Sequence, residues 1–252
     1  MEKIRVGAVS YLNTKPLLYG ITRSAISEKI DLVTDYPANI AARLIEGSID
    51  VGLVPVAIIP KLPEFHIITD YCIGAEGPVA SVGIFSEQPM DSVKNVLLDY
   101  QSRTSVSLAR VLLKHYWKKE VHFLEASEGY QSKIKNDTAG VVIGDRAFSQ
   151  RIVSPFMYDL AEAWLAFTGL PFVFAAWVAN KQLPDEFIQE FNNANAYGLC
   201  RLDEVIEENP NANYDLHTYY TKNINYSFSK AKILGLETFL TYLKDLPGLP
   251  QQ

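Results

Sequence analysis

The sequence predicts an α/β protein of two domains, one inserted into the other, with a ligand cleft between them. Residues 4–57 read strand–helix–strand–helix–strand, the unit that builds parallel sheets with right-handed crossovers. A second unit of the same kind opens at Val96. The strongly apolar run 172–178 then returns the chain to the first unit. The expected first domain joins residues 1–86 to 175–252, and the inserted domain spans 87–174.

Ile4–Val9 alternates and is β-branched, which suits a first strand. It feeds the turn Ser10-Tyr11-Leu12-Asn13-Thr14, where Thr14 is expected to cap a helix that Pro16 opens and that runs to about Ser27. Residues 30–34 are a strand, and 38–47 a helix with apolar residues at 40, 41, 44 and 45. Residues 49–57 are a buried strand, with Pro55 at its end because proline cannot donate within a ladder. Two further strands, 66–73 and 79–85, lead to a crossing at 86–89. In the inserted unit, 96–99, 121–124 and 139–145 are strands, and 106–117 and 129–135 are helices. Residues 159–167 form a helix that breaks at Thr168-Gly169-Leu170-Pro171. From Pro184 to the end the chain reads as helical and is expected to pack back on the first domain.

Composition limits the function. The 252 residues are 48% hydrophobic and 21% charged, a globular balance that leaves no place for disorder. A formal net charge of −6 argues against nucleic acid or an anionic membrane as partner, so an anionic ligand must be held by local donors. Cys72 and Cys200 stand far apart and read as buried thiols of a reducing compartment. His66, His115, His122 and His217 have no metal-ligand spacing, and no metal or cofactor motif is present. No apolar run approaches the roughly 20 residues of a membrane span, and Met1-Glu2-Lys3 opens without an export signal. A cytoplasmic protein is expected.

The predicted topology gathers the turns 10–14, 53–56, 102–105 and 144–147 at the cleft, with 168–172 at the hinge. The sharpest anion candidate is Ser102-Arg103-Thr104-Ser105, because hydroxyls, free amides and a helix dipole favour a carboxylate or phosphate there. The same residues would also serve as a plain helix cap, and Arg103 would face solvent as readily as bind a ligand. Asp145 ends a strand at the same rim, as base, hydroxyl holder or interdomain partner. Ser10, Tyr11, Pro55, Ser81, Gly144, Thr168 and Gly169 complete the expected binding set. Tyr11, Trp164, Phe167 and Phe172 would wall an unsaturated ring or form plain core. With no Gly-rich phosphate loop and no Ser-His-Asp pattern, a reaction here rests on positioning, desolvation and proton transfer.

Val-Ser-Tyr-Leu-Asn-Thr-Lys-Pro-Leu at positions 9–17 resembles the signature of the chorismate dehydratases of the futalosine route to menaquinone. Ser-Arg-Thr-Ser at 102–105, Ile-Gly-Asp at 143–145 and Thr-Gly-Leu-Pro-Phe-Val-Phe-Ala at 168–175 fall in the order that this family has them. The resemblance spans nearly the whole chain. It implies a type 2 periplasmic-binding-protein-like fold and a lyase that removes water from chorismate, giving 3-[(1-carboxyvinyl)oxy]benzoate without a cofactor. A sister enzyme on this fold makes dihydroxynaphthoate and usually opens more like Ser-Pro-Cys-Pro-Asn-Asp-Thr, which this chain lacks. Asn13 matches the family's active-site asparagine. An amide is a poor base, so Asn13 is assigned the orientation of the leaving hydroxyl or the enolpyruvyl group. Ser102, Thr104 and Ser105 are the natural holders of the ring carboxylate. The base stays open between the substrate's own enolpyruvyl carboxylate and Asp145. The competing reading is a non-catalytic solute-binding protein or sensor for a small carboxylate. Chorismate is the expected partner, and a homodimer stays open.

Overall fold

The computed structural model describes residues 3–246. In chain order the first elements are β1 (Ile4–Val9), α1 (Lys15–Arg23), β2 (Ile30–Asp35), α2 (Pro37–Ile45), β3 (Val51–Pro55) and β4 (His66–Ala75). Then come β5 (Val82–Ser86), β6 (Asn95–Leu98), α3 (Thr104–His115), β7 (His122–Glu125) and β8 (Thr138–Ile143). They are followed by α4 (Asp145–Val153), β9 (Phe156–Asp159), α5 (Leu160–Thr168), β10 (Phe172–Ala179) and α6 (Asp185–Leu199). The last are α7 (Leu202–Glu208), α8 (Leu216–Thr218), β11 (Asn225–Ser227) and α9 (Lys230–Lys244).

The chain divides into two compact units, one holding residues up to 74 with 173–229, the other 75–172 with the stretch from 230 onward. The first is built on a six-stranded sheet of order β11-β4-β10-β3-β1-β2. β1 pairs in parallel with β2 and β3, and β10 runs antiparallel to β3 with Ala175 opposite Pro55. The fully buried β3 carries no polar side chain, as a central strand requires. Helices α1 and α6 meet backbone to backbone. A Cβ on Gly20 would stand 1.8 Å from the Ala194 carbonyl oxygen, and one on Gly198 1.9 Å from that of Pro16. Only glycine permits that approach, and it pins the start of α1.

The second unit holds the sheet β7-β6-β8-β5-β9. β6 pairs in parallel with β7 and β8, while β5 lies antiparallel between β8 and β9. Trp164, Phe172 and Phe239 are buried and pack edge-to-face, with ring centroids 5.0–6.0 Å apart. Among the described residues no helix is long and apolar enough to cross a membrane.

The domain boundaries differ from expectation. β5 was expected in the first domain, yet its ladder, with Val82 opposite Ile143, places it in the second sheet. α9 was expected to pack on the first domain. Instead Gly235 meets the Pro171 carbonyl and Phe239 meets Phe172, so this helix belongs to the second unit. The chain therefore passes between units three times rather than twice. Neither sheet is wholly parallel, because β10 runs antiparallel to β3, β11 to β4, and β5 to both of its neighbours, β8 and β9. The expected helix 129–135 is only a 3-10 turn, Tyr130–Lys133, led in by Gly129 at φ 77°. α4, β9 and β11 had no counterpart in the sequence reading. Cys72 is buried as expected, but Cys200 is exposed. The final residues of the expected C-terminal helix lie outside the described residues.

At the amino-terminal edge of the first sheet Asp50 is enclosed by cations. Arg5 Nη2 donates to one carboxylate oxygen at 2.7 Å and Arg5 Nε to the other at 3.1 Å, while Lys181 Nζ stands 2.7 Å away. Burial opposes the Asp50 charge, yet the hydrogen bonds from Arg5 and Lys181 outweigh it and hold the carboxyl well below the usual carboxylate range. A depressed folded-state pKa stabilises the fold above the unfolded value, and the benefit is lost as pH falls below about 4. Asp50→Asn is expected to lower the unfolding free energy at neutral pH by about 2 kcal/mol. Urea titrations should show the gap to the parent closing as the pH approaches about 2.

Candidate active site

In the first unit β1 and β3 are parallel, so their carboxyl ends share one sheet edge, and antiparallel β10 begins there. That edge is where open α/β sheets bind ligands. β1 delivers residues 10–14 to it as an extended Tyr11 and a 3-10 turn, Leu12–Thr14, which runs into α1 with Pro16 in its first turn. Thr14 does not cap the helix as expected. It is fully buried, and its hydroxyl donates to Asn13 Oδ1 at 3.2 Å. The amide oxygen of Asn13 is thereby engaged, and its Nδ2 has no partner among the described residues. Behind the turn, the Tyr220 hydroxyl donates to the Leu12 carbonyl at 3.1 Å and that of Tyr226 to the Asn13 carbonyl at 2.9 Å. Burial pushes the Tyr226 phenol well up. Ser10 is exposed, Tyr11 is buried, and Pro55 closes β3 at the same edge.

In the second unit the carboxyl ends of β6, β8 and β9 and the start of β5 share an edge. After β6, Ser102 Oγ accepts from the Ser105 amide at 3.1 Å and so caps α3. Ser102, Thr104 and Ser105 are buried, and the Ser105 hydroxyl has no partner among the described residues. Arg103 is exposed. After β8, the Gly144 amide donates to the Ser81 carbonyl at 2.8 Å. Gly144 sits at φ 62°, ψ −148°, a conformation closed to other residues, and Asp145 follows half-buried in the first turn of α4.

Two carboxylates that sequence reasoning missed brace this edge. Asp99 is buried and accepts from the Gln101 amide, the Tyr130 hydroxyl and Arg146 Nη2. Asp159 accepts from the amides of Val79 at 3.1 Å, Ala80 at 2.8 Å, Ala161 at 3.0 Å and Glu162 at 3.2 Å. It thus caps α5 and holds the tight turn in which the Ser81 amide donates to the Val79 carbonyl. Ala80 in that turn stands at φ 64°, a costly angle for a residue with a Cβ. Burial pushes the Asp159 carboxyl up, and the four amides pull it back. The only cue in sequence is an aspartate at the end of an apolar strand.

One edge therefore gathers Ser10, Tyr11, Asn13 and Pro55, and another gathers Ser81, Ser102, Thr104, Ser105, Gly144 and Asp145. Thr168 and Gly169 lie at the end of α5. The Thr168 hydroxyl donates to the Trp164 carbonyl and accepts from the Leu170 amide, and Gly169 ends α5 at φ 73°. Both terminate a helix. The expected aromatic wall is core as far as Trp164 and Phe172 are concerned.

Two mixed α/β units with polar turns at their strand ends define a protein of the periplasmic-binding-protein fold, and solved structures agree. A protein from Archaeoglobus fulgidus superposes with a TM-score of 0.76 at 13% identity, covering 96% of this chain and 97% of that one. A Candida albicans protein described as having the generic periplasmic binding protein fold gives 0.65 at 13% identity, with 99% and 92% covered. The alkanesulfonate-binding protein of Xanthomonas axonopodis pv. citri gives 0.63 at 13%, with 98% and 95% covered. The chain belongs to the menaquinone biosynthesis family, whose profile matches residues 4–245. It is also 26% identical to the chorismate dehydratase of Thermus thermophilus, over 99% of this chain and 97% of that enzyme.

Replacing Asp159 by asparagine presents an NH2 group to backbone amides that need an acceptor. Asp159→Asn is expected to lower the unfolding free energy by about 3 kcal/mol, measured by urea denaturation. A loss below about 1 kcal/mol would mean that the four amides find other acceptors.

Proposed function

We propose that the protein is a carbon–oxygen lyase that dehydrates chorismate to 3-[(1-carboxyvinyl)oxy]benzoate within menaquinone biosynthesis, in the cytoplasm. The observation that carries this reading is the end-to-end similarity to the Thermus chorismate dehydratase, together with the menaquinone family match. Chorismate is a cyclohexadiene one dehydration from an aromatic ring, so the product state drives the reaction. The ring C–H beside the ether loses its proton, its electron pair becomes part of the aromatic ring, and hydroxide departs from the adjacent carbon. Charge that develops in the diene spreads into the ring carboxylate, provided fixed donors hold that group.

The α3 N-terminus supplies such donors. Ser102 is committed to the cap, which orders the turn, while the Ser105 hydroxyl and the first amides of the helix are assigned to the carboxylate. Asn13 is assigned as a donor, because Thr14 occupies its oxygen and its NH2 stays available for the leaving hydroxyl or the enolpyruvyl group. That geometry disfavours Asn13 as a base. The proton goes to the substrate's own enolpyruvyl carboxylate, with Asp145 as the rival acceptor.

The test is incubation with chorismate, followed by ultraviolet absorbance as the ring becomes aromatic. Chorismate retained unchanged by folded protein would instead identify a binding protein or sensor. Asn13→Ala is expected to lower kcat by about a hundredfold to a thousandfold with little change in affinity, because the bond strengthens as charge develops. Asp145→Asn should cost far less. If it abolishes turnover while chorismate still binds, Asp145 is the base. Ser105→Ala should raise KM by about tenfold to a hundredfold and leave thermal stability unchanged, since no group among the described residues uses that hydroxyl.

A further inference from the structure

Asp99 sits directly after β6 with a fully buried side chain, and its donors Gln101, Tyr130 and Arg146 come from the segments that form this strand edge. Its backbone oxygen accepts from the Ser102 amide at 3.2 Å, and its Oδ1 accepts from the Gln101 amide at 2.9 Å. Main chain and side chain of one residue therefore close the same turn, in the manner of aspartate at the head of an Asx turn. That turn sets the position of Ser102, and Ser102 caps α3 through Ser105.

The carboxylate also reaches two neighbours. Arg146 Nη2, in the first turn of α4, lies 3.0 Å and 2.8 Å from its two oxygens. The Tyr130 hydroxyl, from the 3-10 turn ahead of β8, lies 2.8 Å from Oδ2 and also contacts the Val141 carbonyl in β8. Arg146 in turn lies 5.5 Å from the centre of the Tyr100 ring. One buried charge thus indexes the start of α3 against the start of α4. Charge-assisted bonds to fixed partners are both stronger and more directional than neutral ones, so this arrangement resists rotation of the turn.

We propose that Asp99 is a positioning residue for substrate binding, which aims the α3 N-terminus and Ser105 at a ligand carboxylate through its hold on Gln101, Tyr130 and Arg146. The proposal rests on the reading of residues 102–105 as the seat of that carboxylate. Asp99 touches no substrate, because its own oxygens are enclosed by protein donors. Asn in its place keeps the shape but loses the charge that Arg146 pairs with.

The experiment compares the parent with Asp99→Asn and Tyr130→Phe, using chorismate kinetics, calorimetric binding of benzoate as a carboxylate probe, and thermal melting. Asp50→Asn serves as the control for loss of a buried ion pair away from the carboxyl edge. Asp99→Asn should raise KM and the benzoate Kd by about tenfold to a hundredfold, with kcat within about threefold of the parent. Tyr130→Phe should move the same two constants in the same direction by a smaller factor. The control should lower the melting temperature and leave both constants unchanged. If folded Asp99→Asn keeps the parental KM and Kd, or loses kcat alone, the proposal is overturned. If Asp99→Asn does not fold, the Tyr130→Phe constants decide in the same way. Should the parent bind benzoate without converting chorismate, the dehydratase reading fails and the Kd comparison still judges Asp99. A parent that binds no carboxylate overturns both.

Discussion

The carboxylate of Asp159 joins two segments that lie 80 residues apart, the turn at Val79–Ala80 and the start of α5. Much of the second unit's strand edge depends on it. With four backbone amides converging on one buried group, the chain can hold Ala80 in a left-handed turn that no local preference supports. The turn places the Ser81 carbonyl where the Gly144 amide reaches it, and Gly144 then starts α4 beside Asp99's partner Arg146. Acceptor and donor alternate along this edge, so each turn takes its position from the next.

The first unit solves the equivalent problem with different chemistry. Its polar turn at 10–14 is backed by two buried phenols rather than by a carboxylate. Tyrosine hydroxyls satisfy the Leu12 and Asn13 carbonyls without adding charge beneath the turn. The helix that follows is clamped by the Gly20–Gly198 approach, so neither end of the turn is left to drift. Asn13 is consequently presented by a rigid support.

What was legible in the sequence follows from the range of the forces involved. β1, β3 and α2 declare themselves because alternation, apolar runs and proline position are local signals. The turns at 10–14 and 102–105 stood out because polar residues at a strand–helix junction have few structural explanations. α4 was hidden because Asp-Arg-Ala-Phe-Ser-Gln-Arg-Ile-Val is mostly polar and offers few apolar positions to set a period, and β9 because Phe-Met-Tyr-Asp runs directly into α5. The unit to which β5 belongs was not readable, since the ladder partner Ile143 lies far along the chain. Asp99 and Asp159 were overlooked for the same reason, since the donors that make each more than a local turn cap, Tyr130 and Arg146 for one and Val79 and Ala80 for the other, lie far along the chain. At Thr168 the sequence is ambiguous, because a hydroxyl beside a glycine fits a ligand loop and a helix end equally well.

The placement of β10 between β3 and β4 has a consequence for how the protein comes into being. On a ribosome, β1, β2 and β3 emerge first, yet the strand that covers the open side of β3 is made more than a hundred residues later. β11 and α6, which complete the sheet and clamp α1, arrive later still. No nascent fragment ending before residue 172 contains a finished first sheet, whereas most of the second unit is already present by then. The first unit is thus assembled from contacts of high sequence separation, the class of topology that closes slowly and leaves apolar strand edges uncovered while it waits. Nascent-chain quality control would meet the half-built first sheet before it ever met a completed fold.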